Sequence, residues 1–249
     1  MDTSASDSFE TMLESPQPQP SRKRRKLAAG SRVLTSERLA PLDPAISALW
    51  PKIADRPSSR DTLRVLVTPA SPHAGATTVA LATAAGLAQH LFSSTILVES
   101  NFSAPKLSAA FDLPPTSGFR PVLEGRSDVG SAIVETAIPF LYALPAGYGN
   151  DHLSGAFARP GAKPVLEYLK ARFTHVVFDA PSLLECPDAR LLLDEVDAAI
   201  VVAGAGRTQR HDLRRTLEVI ARTDAELLGV VLNRYAAQAP AWLMPSRDR

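Results

Sequence analysis

The sequence predicts an α/β fold, a doubly wound and mainly parallel sheet flanked by helices. Three observations predict it. About six short apolar runs recur along the chain, near 65–67, 95–99, 140–144, 175–179, 198–203 and 227–232, and each reads as a buried strand. Segments with helical apolar spacing alternate with them, which is the pattern of parallel strands joined by crossover helices. The first run, Val65-Leu66-Val67, also leads through a loop of Pro, Ser, Ala and Gly into a long Ala/Leu-rich helix. Strand, small-residue loop and helix N-terminus together make an anion site, because free N–H groups and the helix dipole point at the loop.

The chain of 249 residues is long enough for one such domain with tails. A formal net charge of +1 argues against a globally nucleic-acid-binding surface. Cys186 is the single cysteine, so no intrachain disulfide forms, in keeping with a reducing cytoplasm. No apolar run approaches the roughly 18 residues of a membrane span, and the polar, acidic start MDTSASDSFETMLES lacks a signal-peptide layout. A cytoplasmic location is expected, with any membrane contact peripheral, at the inner face of the cell membrane, or made through a partner.

In order, residues 1–35 read as a disordered tail rich in Ser, Pro and Gln. It carries the basic run Arg22, Lys23, Arg24, Arg25 and Lys26. That run fits a solvated tail, a contact with anionic lipid, or a nucleic-acid contact or import signal. The domain is expected over 36–235. It opens on a short helix pattern (Leu42, Ile46, Leu49, Trp50, Ile53) with Asp43 as N-cap and Pro44 at the first helical position. After the loop, Thr77–His90 reads as a helix and Thr95–Glu99 as a strand. A Pro/Gly-rich turn and a short amphipathic piece around Val122, Leu123 and Ile133 follow. Phe140–Leu144 and His175–Asp179 read as strands, with a helix over Val165–Phe173 between them. A helix through Leu191–Leu193, the strand Ala198–Ala203, a helix over Arg207–Thr223 and the strand Leu227–Leu232 complete the domain. The basic face of the penultimate segment (Arg207, Arg210, Arg214, Arg215) fits a solvated helix face or a partner surface. The tail 236–249 has little periodicity.

The loop reads Ala70-Ser71-Pro72-His73-Ala74-Gly75-Ala76-Thr77, in the frame of a P-loop, small-x-x-x-x-Gly-Lys-Ser/Thr, with alanine at the lysine position. Asp179, closing an apolar strand, has the layout of a Walker B carboxylate that would hold Mg²⁺, or else caps the next segment. Glu99 and Asn101, at the end of the second strand, are placed to face the same crevice, since ligands of open parallel sheets lie beyond the strands' carboxyl ends. No His/Cys cluster suggests zinc, and no Ser/His/Asp set follows from spacing.

Together these segments resemble the cytoplasmic domain of bacterial tyrosine kinases (BY-kinases), of the MinD/ParA-like, deviant-Walker branch of P-loop proteins. The resemblance runs from about Pro41 to Tyr235. Thr68–Thr78 aligns without a gap on a loop like T-S-x-x-P-G-E-G-K-T-T, and Leu97–Leu107 on L-I-D-A-D-L-R-R-P-x-L. Asp179-Ala180-Pro181-Ser182 with Asp188, Leu144–Gly147 and Gly229–Asn233 match further family motifs. The resemblance implies a nucleotide seat at Ala70, Pro72, His73, Gly75, Ala76, Thr77, Thr78 and Asn233, the last toward adenine. It implies a Mg²⁺ seat at Thr77, Asp179, Glu99 and Asn101, with ATP or ADP and Mg²⁺ as cofactors.

The departures fall on the chemistry. Ala76 replaces the lysine that bridges phosphates, His73 stands where the family has glycine, and Glu99 and Asn101 replace two aspartates. The tyrosine-rich tail and the E-x-x-R-x-x-R assembly helix are absent from the sequence. No catalytic residue is therefore assigned. The expected function is a catalytically degenerate scaffold or regulator of exopolysaccharide or capsule synthesis and export. Its expected partner is a membrane polysaccharide co-polymerase or another component of that machinery, with an anionic membrane surface and self-association as further contacts and nucleic acid disfavoured. The alternatives are an ATPase or tyrosine kinase with an atypical loop, and a MinD/ParA-like positioning protein that binds membrane or DNA.

Overall fold

The computed structural model describes residues 63–111, 118–148 and 155–235, preceded by Ser47–Leu49 and Ile53. The basic run Arg22–Lys26, the Asp43–Pro44 cap, Trp50 and the tails at 1–35 and 236–249 lie outside the described residues.

The predicted sheet is present, with seven strands: β1 (Leu63–Pro69), β2 (Thr95–Glu99), β3 (Val134–Glu135), β4 (Leu141–Leu144), β5 (His175–Asp179), β6 (Ala198–Gly204) and β7 (Glu226–Asn233). Their order is β3-β4-β2-β5-β1-β6-β7. Six strands run parallel, and β3 pairs antiparallel with β4 through Val134 and Glu135. This two-residue strand was not among the expected six: it is set by its neighbour and has no alternation of its own. The helices are α1 (Ala76–His90), α2 (Leu107–Ala110), α3 (Phe119–Leu123), α4 (Val129–Ala132), α5 (Ala162–Arg172), α6 (Pro187–Leu193) and α7 (Arg210–Ile220).

Of the boundaries that differ from expectation, three do so for clear local reasons. The amphipathic piece around Val122 is two helices, split at Gly125 (φ +69°) and restarted by Asp128, whose carboxylate accepts the Ser131 N–H at 2.8 Å. α6 begins at Pro187, before Leu191, because proline suits the first helical turn. α7 begins at Arg210, not Arg207, because Gly206 sits at φ +68° and the Thr208 hydroxyl accepts the Gly204 N–H at 2.8 Å, holding a turn there.

Alternate strand residues feed two separate cores, one on each face of the sheet. Leu66, Val98, Val176, Phe178 and Val201 pack with α3 to α7, whereas Val65, Val67, Leu97, Val177, Ile200 and Val202 pack with α1, Leu49 and Ile53. Eleven of the fifteen α1 residues are buried, so its alanines serve close approach to the sheet. At the sheet's amino end Arg64 grips Asp197 through its backbone N–H (2.9 Å) and its guanidinium (3.2 and 3.0 Å), fixing β1 to the start of β6.

Candidate functional site

The P-loop spans β1 and α1 at the sheet's carboxyl edge, beside the switch point where β1 lies between β5 and β6. Its backbone is held from three sides. Ala70 N–H bonds to Val202 at 2.9 Å, and Ser71 Oγ pairs with Thr208 Oγ1 at 2.7 Å. Asn233 Nδ2 donates to the Ala74 carbonyl at 2.9 Å. Gly75 takes φ +94°, and a Cβ there would lie 2.1 Å from that same Nδ2. His73 also adopts left-handed backbone, φ +60°, at a position where a side chain is strained. Both residues are of the kind that turns successive N–H groups to one side, and α1 starts at Ala76 with no side-chain cap and no acid in its first turn.

The loop forms one wall of a cleft of about 450 Å³. Ser100–Ala104 and Lys106 form a second wall, and Ala180–Ser182 with Glu185–Ala189 a third. Of the expected nucleotide residues, Pro72, His73, Gly75, Ala76 and Thr77 line the cleft. Ala70 is buried under the loop and Thr78 is exposed one step along the helix. Asn233 is engaged on the loop itself: its amide nitrogen donates to the Ala74 carbonyl and its oxygen accepts the Arg234 N–H at 2.8 Å.

The expected cation residues divide. Thr77 stands beside the Asp179 carboxylate and lowers its proton affinity, and the carboxylate's Oδ1 is buried without a partner. That orphaned oxygen beside a hydroxyl fits a small hard cation or a water bound to one. Asn101 lines the cleft. Glu99 is spent on backbone: it accepts the N–H groups of Lys106, of Leu107 at 2.8 Å and of Ala146 at 2.9 Å. Burial raises the Glu99 pKa, and these three bonds and the charge of Lys106 oppose the rise. Phosphate fits less completely than the cation does, since position 76 is a buried alanine methyl where an ammonium would reach the ligand.

Burial pushes the Asp179 carboxyl up to about 7 from its ordinary 3.8, Glu99's charge adds to the rise, and Thr77 and Lys106 pull against it. The folded protein thus keeps a proton that the unfolded chain releases near pH 4. Asp179's contribution to stability is greatest below pH 4, falls as pH rises to about 7, and is flat above. Asp179→Asn is expected to be about 1–3 kcal/mol more stable than the natural chain at pH 8 and equal to it at pH 4. Urea titrations at the two pH values check this, and equal stabilities at pH 8 would contradict it.

Sequence reasoning did not single out Ser100, Thr208 or Lys106. Ser100 donates both N–H (3.0 Å) and Oγ (2.8 Å) to the Asp179 carbonyl, closing the cleft floor between β2 and β5. Asp188, matched to a family aspartate, accepts the Gly155 N–H with both oxygens at 2.9 and 2.8 Å.

No family model matches the chain. It is 25% identical over 180 residues to the tyrosine-protein kinase CpsD of Streptococcus agalactiae serotype Ia, covering 72% of this chain and 77% of that one. It is 26% identical over 174 residues to the tyrosine-protein kinase YwqD of Bacillus subtilis, covering 70% and 73%. Among solved structures, the kinase domain of Escherichia coli tyrosine kinase ETK superposes with a TM-score of 0.72 at 17% identity, over 88% of each chain. The VpsO kinase domain gives 0.70 at 24% identity over 80% of this chain and 98% of that one. MinD of Pyrococcus horikoshii, complexed with Mg-ADP, gives 0.59 at 21% identity over 70% and 71%. These solved structures share its fold.

Proposed function

We propose that this BY-kinase-like chain, with its MinD/ParA-type P-loop fold, is a catalytically degenerate scaffold or regulator in bacterial capsule or exopolysaccharide synthesis and export. It acts in the cytoplasm, docked on a membrane co-polymerase or another component of that machinery. The observation that carries the reading is Ala76. The loop keeps its fold, braced by Asn233, Thr208 and Val202, yet the side chain at the phosphate-bridging position is a buried methyl. Phosphoryl transfer is mostly electrostatic stabilisation of the moving group, so loss of that ammonium removes turnover while the sheet and its surfaces remain. Among the described residues no helix is long and apolar enough to cross a membrane.

In this reading Thr77 and Asp179 would hold Mg²⁺, which supplies charge neutralisation to a bound phosphate chain. The helix N-terminus at Ala76–Thr77 orients that chain, and Asn233 keeps the loop in shape for it. A weakly active ATPase is the second reading, favoured by the unpartnered Asp179 Oδ1 beside Thr77.

The test is ATP hydrolysis and autophosphorylation by the full chain with Mg²⁺, beside Asp179→Ala, together with binding to the cytoplasmic segment of the co-polymerase. No turnover above the Asp179→Ala background, with co-polymerase binding retained in both proteins, is expected. Hydrolysis that disappears in Asp179→Ala would replace this reading with the second.

A further inference from the structure

The geometry points to Lys106 as the phosphate-binding cation of the cleft, a lysine on the opposite wall serving where position 76 has lost its own, for ligands that carry a diphosphate. The inference deepens the proposed function by naming the ligand class of its cleft, and it requires no turnover.

Lys106 is the only lysine or arginine among the described residues lining the cleft. Its backbone is anchored on both sides. The N–H donates to the buried Glu99 carboxylate, and the carbonyl accepts the Ala110 N–H at 2.9 Å as the first bond of α2. Its side chain is exposed beyond that anchor. A fixed Cα with a free, flexible ammonium is how a lysine serves phosphate as a point charge, with no fixed fork geometry required.

The opposite wall supplies the complement. The uncapped start of α1 and the left-handed residues His73 and Gly75 offer backbone N–H groups, and Thr77 with the orphaned Asp179 oxygen offers a cation seat. Donors on two walls with a cation seat at the floor suit an extended polyanion with Mg²⁺ better than a single carboxylate. Neither acid on the third wall forms an ion pair with Lys106 among the described residues: Asp188 accepts the Gly155 N–H with both oxygens, and Glu185 is in no ion pair there. Glu99, which a metal seat would have used, instead fixes the Lys106 backbone by accepting its N–H.

The experiment uses the full chain with its lysines reductively methylated with ¹³C, which keeps their charge. The Lys106 resonance is assigned by its loss in Lys106→Arg. Mg-ADP and magnesium pyrophosphate are titrated separately. A saturable shift of the Lys106 resonance is expected with both, and a shift with Mg-ADP alone also supports the assignment while adding a requirement for the nucleoside. In calorimetry Lys106→Met is expected to lose about tenfold or more in affinity for Mg-ADP, Lys106→Arg to retain most of it, and the exposed, remote Lys163→Met to bind like the natural chain. An unmoved Lys106 resonance with both ligands, or unchanged binding by Lys106→Met, overturns the assignment. Turnover is not measured here, so failure of the scaffold reading, seen as hydrolysis, stays distinct from failure of this one.

Discussion

Glu99→Ala is expected to lower the folding stability by about 3–5 kcal/mol, the larger of the two effects argued here. The carboxylate is buried, 1% exposed, and satisfies three backbone N–H groups drawn from two separate loops. Alanine leaves Lys106, Leu107 and Ala146 without an acceptor, at about 1–3 kcal/mol for each buried donor, offset in part because a charge no longer has to be desolvated. The damage would spread along a defined route. Ala146 accepts the Arg120 N–H at 3.0 Å, Pro145 accepts Phe119 N–H at 2.8 Å, and Gly118 packs so closely on Gly147 that a Cβ would lie 2.3 Å from its nitrogen. Release of Ala146 therefore loosens the start of α3. Glu99→Gln keeps one acceptor oxygen and turns an amide NH₂ toward the remaining donors, so it should cost about half as much. Urea unfolding gives the totals, and amide exchange at Leu107, Ala146 and Arg120 gives the route. A loss below about 1 kcal/mol in Glu99→Ala would mean that these N–H groups find other acceptors.

Gly75→Ala is expected to cost about 2–4 kcal/mol, from two separable sources. Left-handed backbone at φ +94° penalises any Cβ by about 1–2 kcal/mol. The rest comes from displacing the Asn233 amide, 2.1 Å from the new carbon, from its bond to Ala74. In an Asn233→Ala background the second source is gone, and Gly75→Ala should then cost only about 1–2 kcal/mol. A double-mutant cycle by urea unfolding reads the difference. Strict additivity would show that loop and asparagine are not coupled. The same pair should report on ligand: Gly75→Ala, having moved the loop's N–H groups, is expected to lose Mg-ADP binding even where it remains folded.

The strands were legible because burial on both faces leaves a nearly continuous apolar run, as in Ala198–Ala203, and needs no knowledge of partners. The loop and the carboxylate closing β5 were legible as positions for the same reason: both follow from where a strand ends. What those side chains bond to was not legible. Glu99 reads as an acid facing a crevice until Ala146, 47 residues away, is brought to its second oxygen. Ser71 and Thr208 meet across 137 residues, with no motif to announce the pair. Asn233 sits at the expected place, yet its amide faces the loop's own carbonyl, a choice made by packing in three dimensions. Lys106 was hidden for a different reason: it occupies a position that the family pattern leaves unspecified, and its meaning depends on what is missing thirty residues earlier, at position 76.

At the carboxyl ends of the strands, the backbone stays laced from one side of the cleft to the other. Ser100 N–H bonds to Asp179 at 3.0 Å, Ala180 to Val67 at 2.9 Å, Ala70 to Val202 at 2.9 Å, and Ala205 to Asn233 at 2.9 Å. Five adjacent strands are thereby stitched by the last rungs of the parallel ladder, where each donor strand hands over to its loop. A sill of this kind behaves as one plate. Its amides should exchange with solvent only when the whole domain opens, at the slow limit shared by the inner strands, and a ligand should leave their rates in proportion to one another. Any message that leaves the cleft must then travel through what stands on the sill, the short helix behind Lys106 and the turn ahead of α7, while the sill keeps the distance between them.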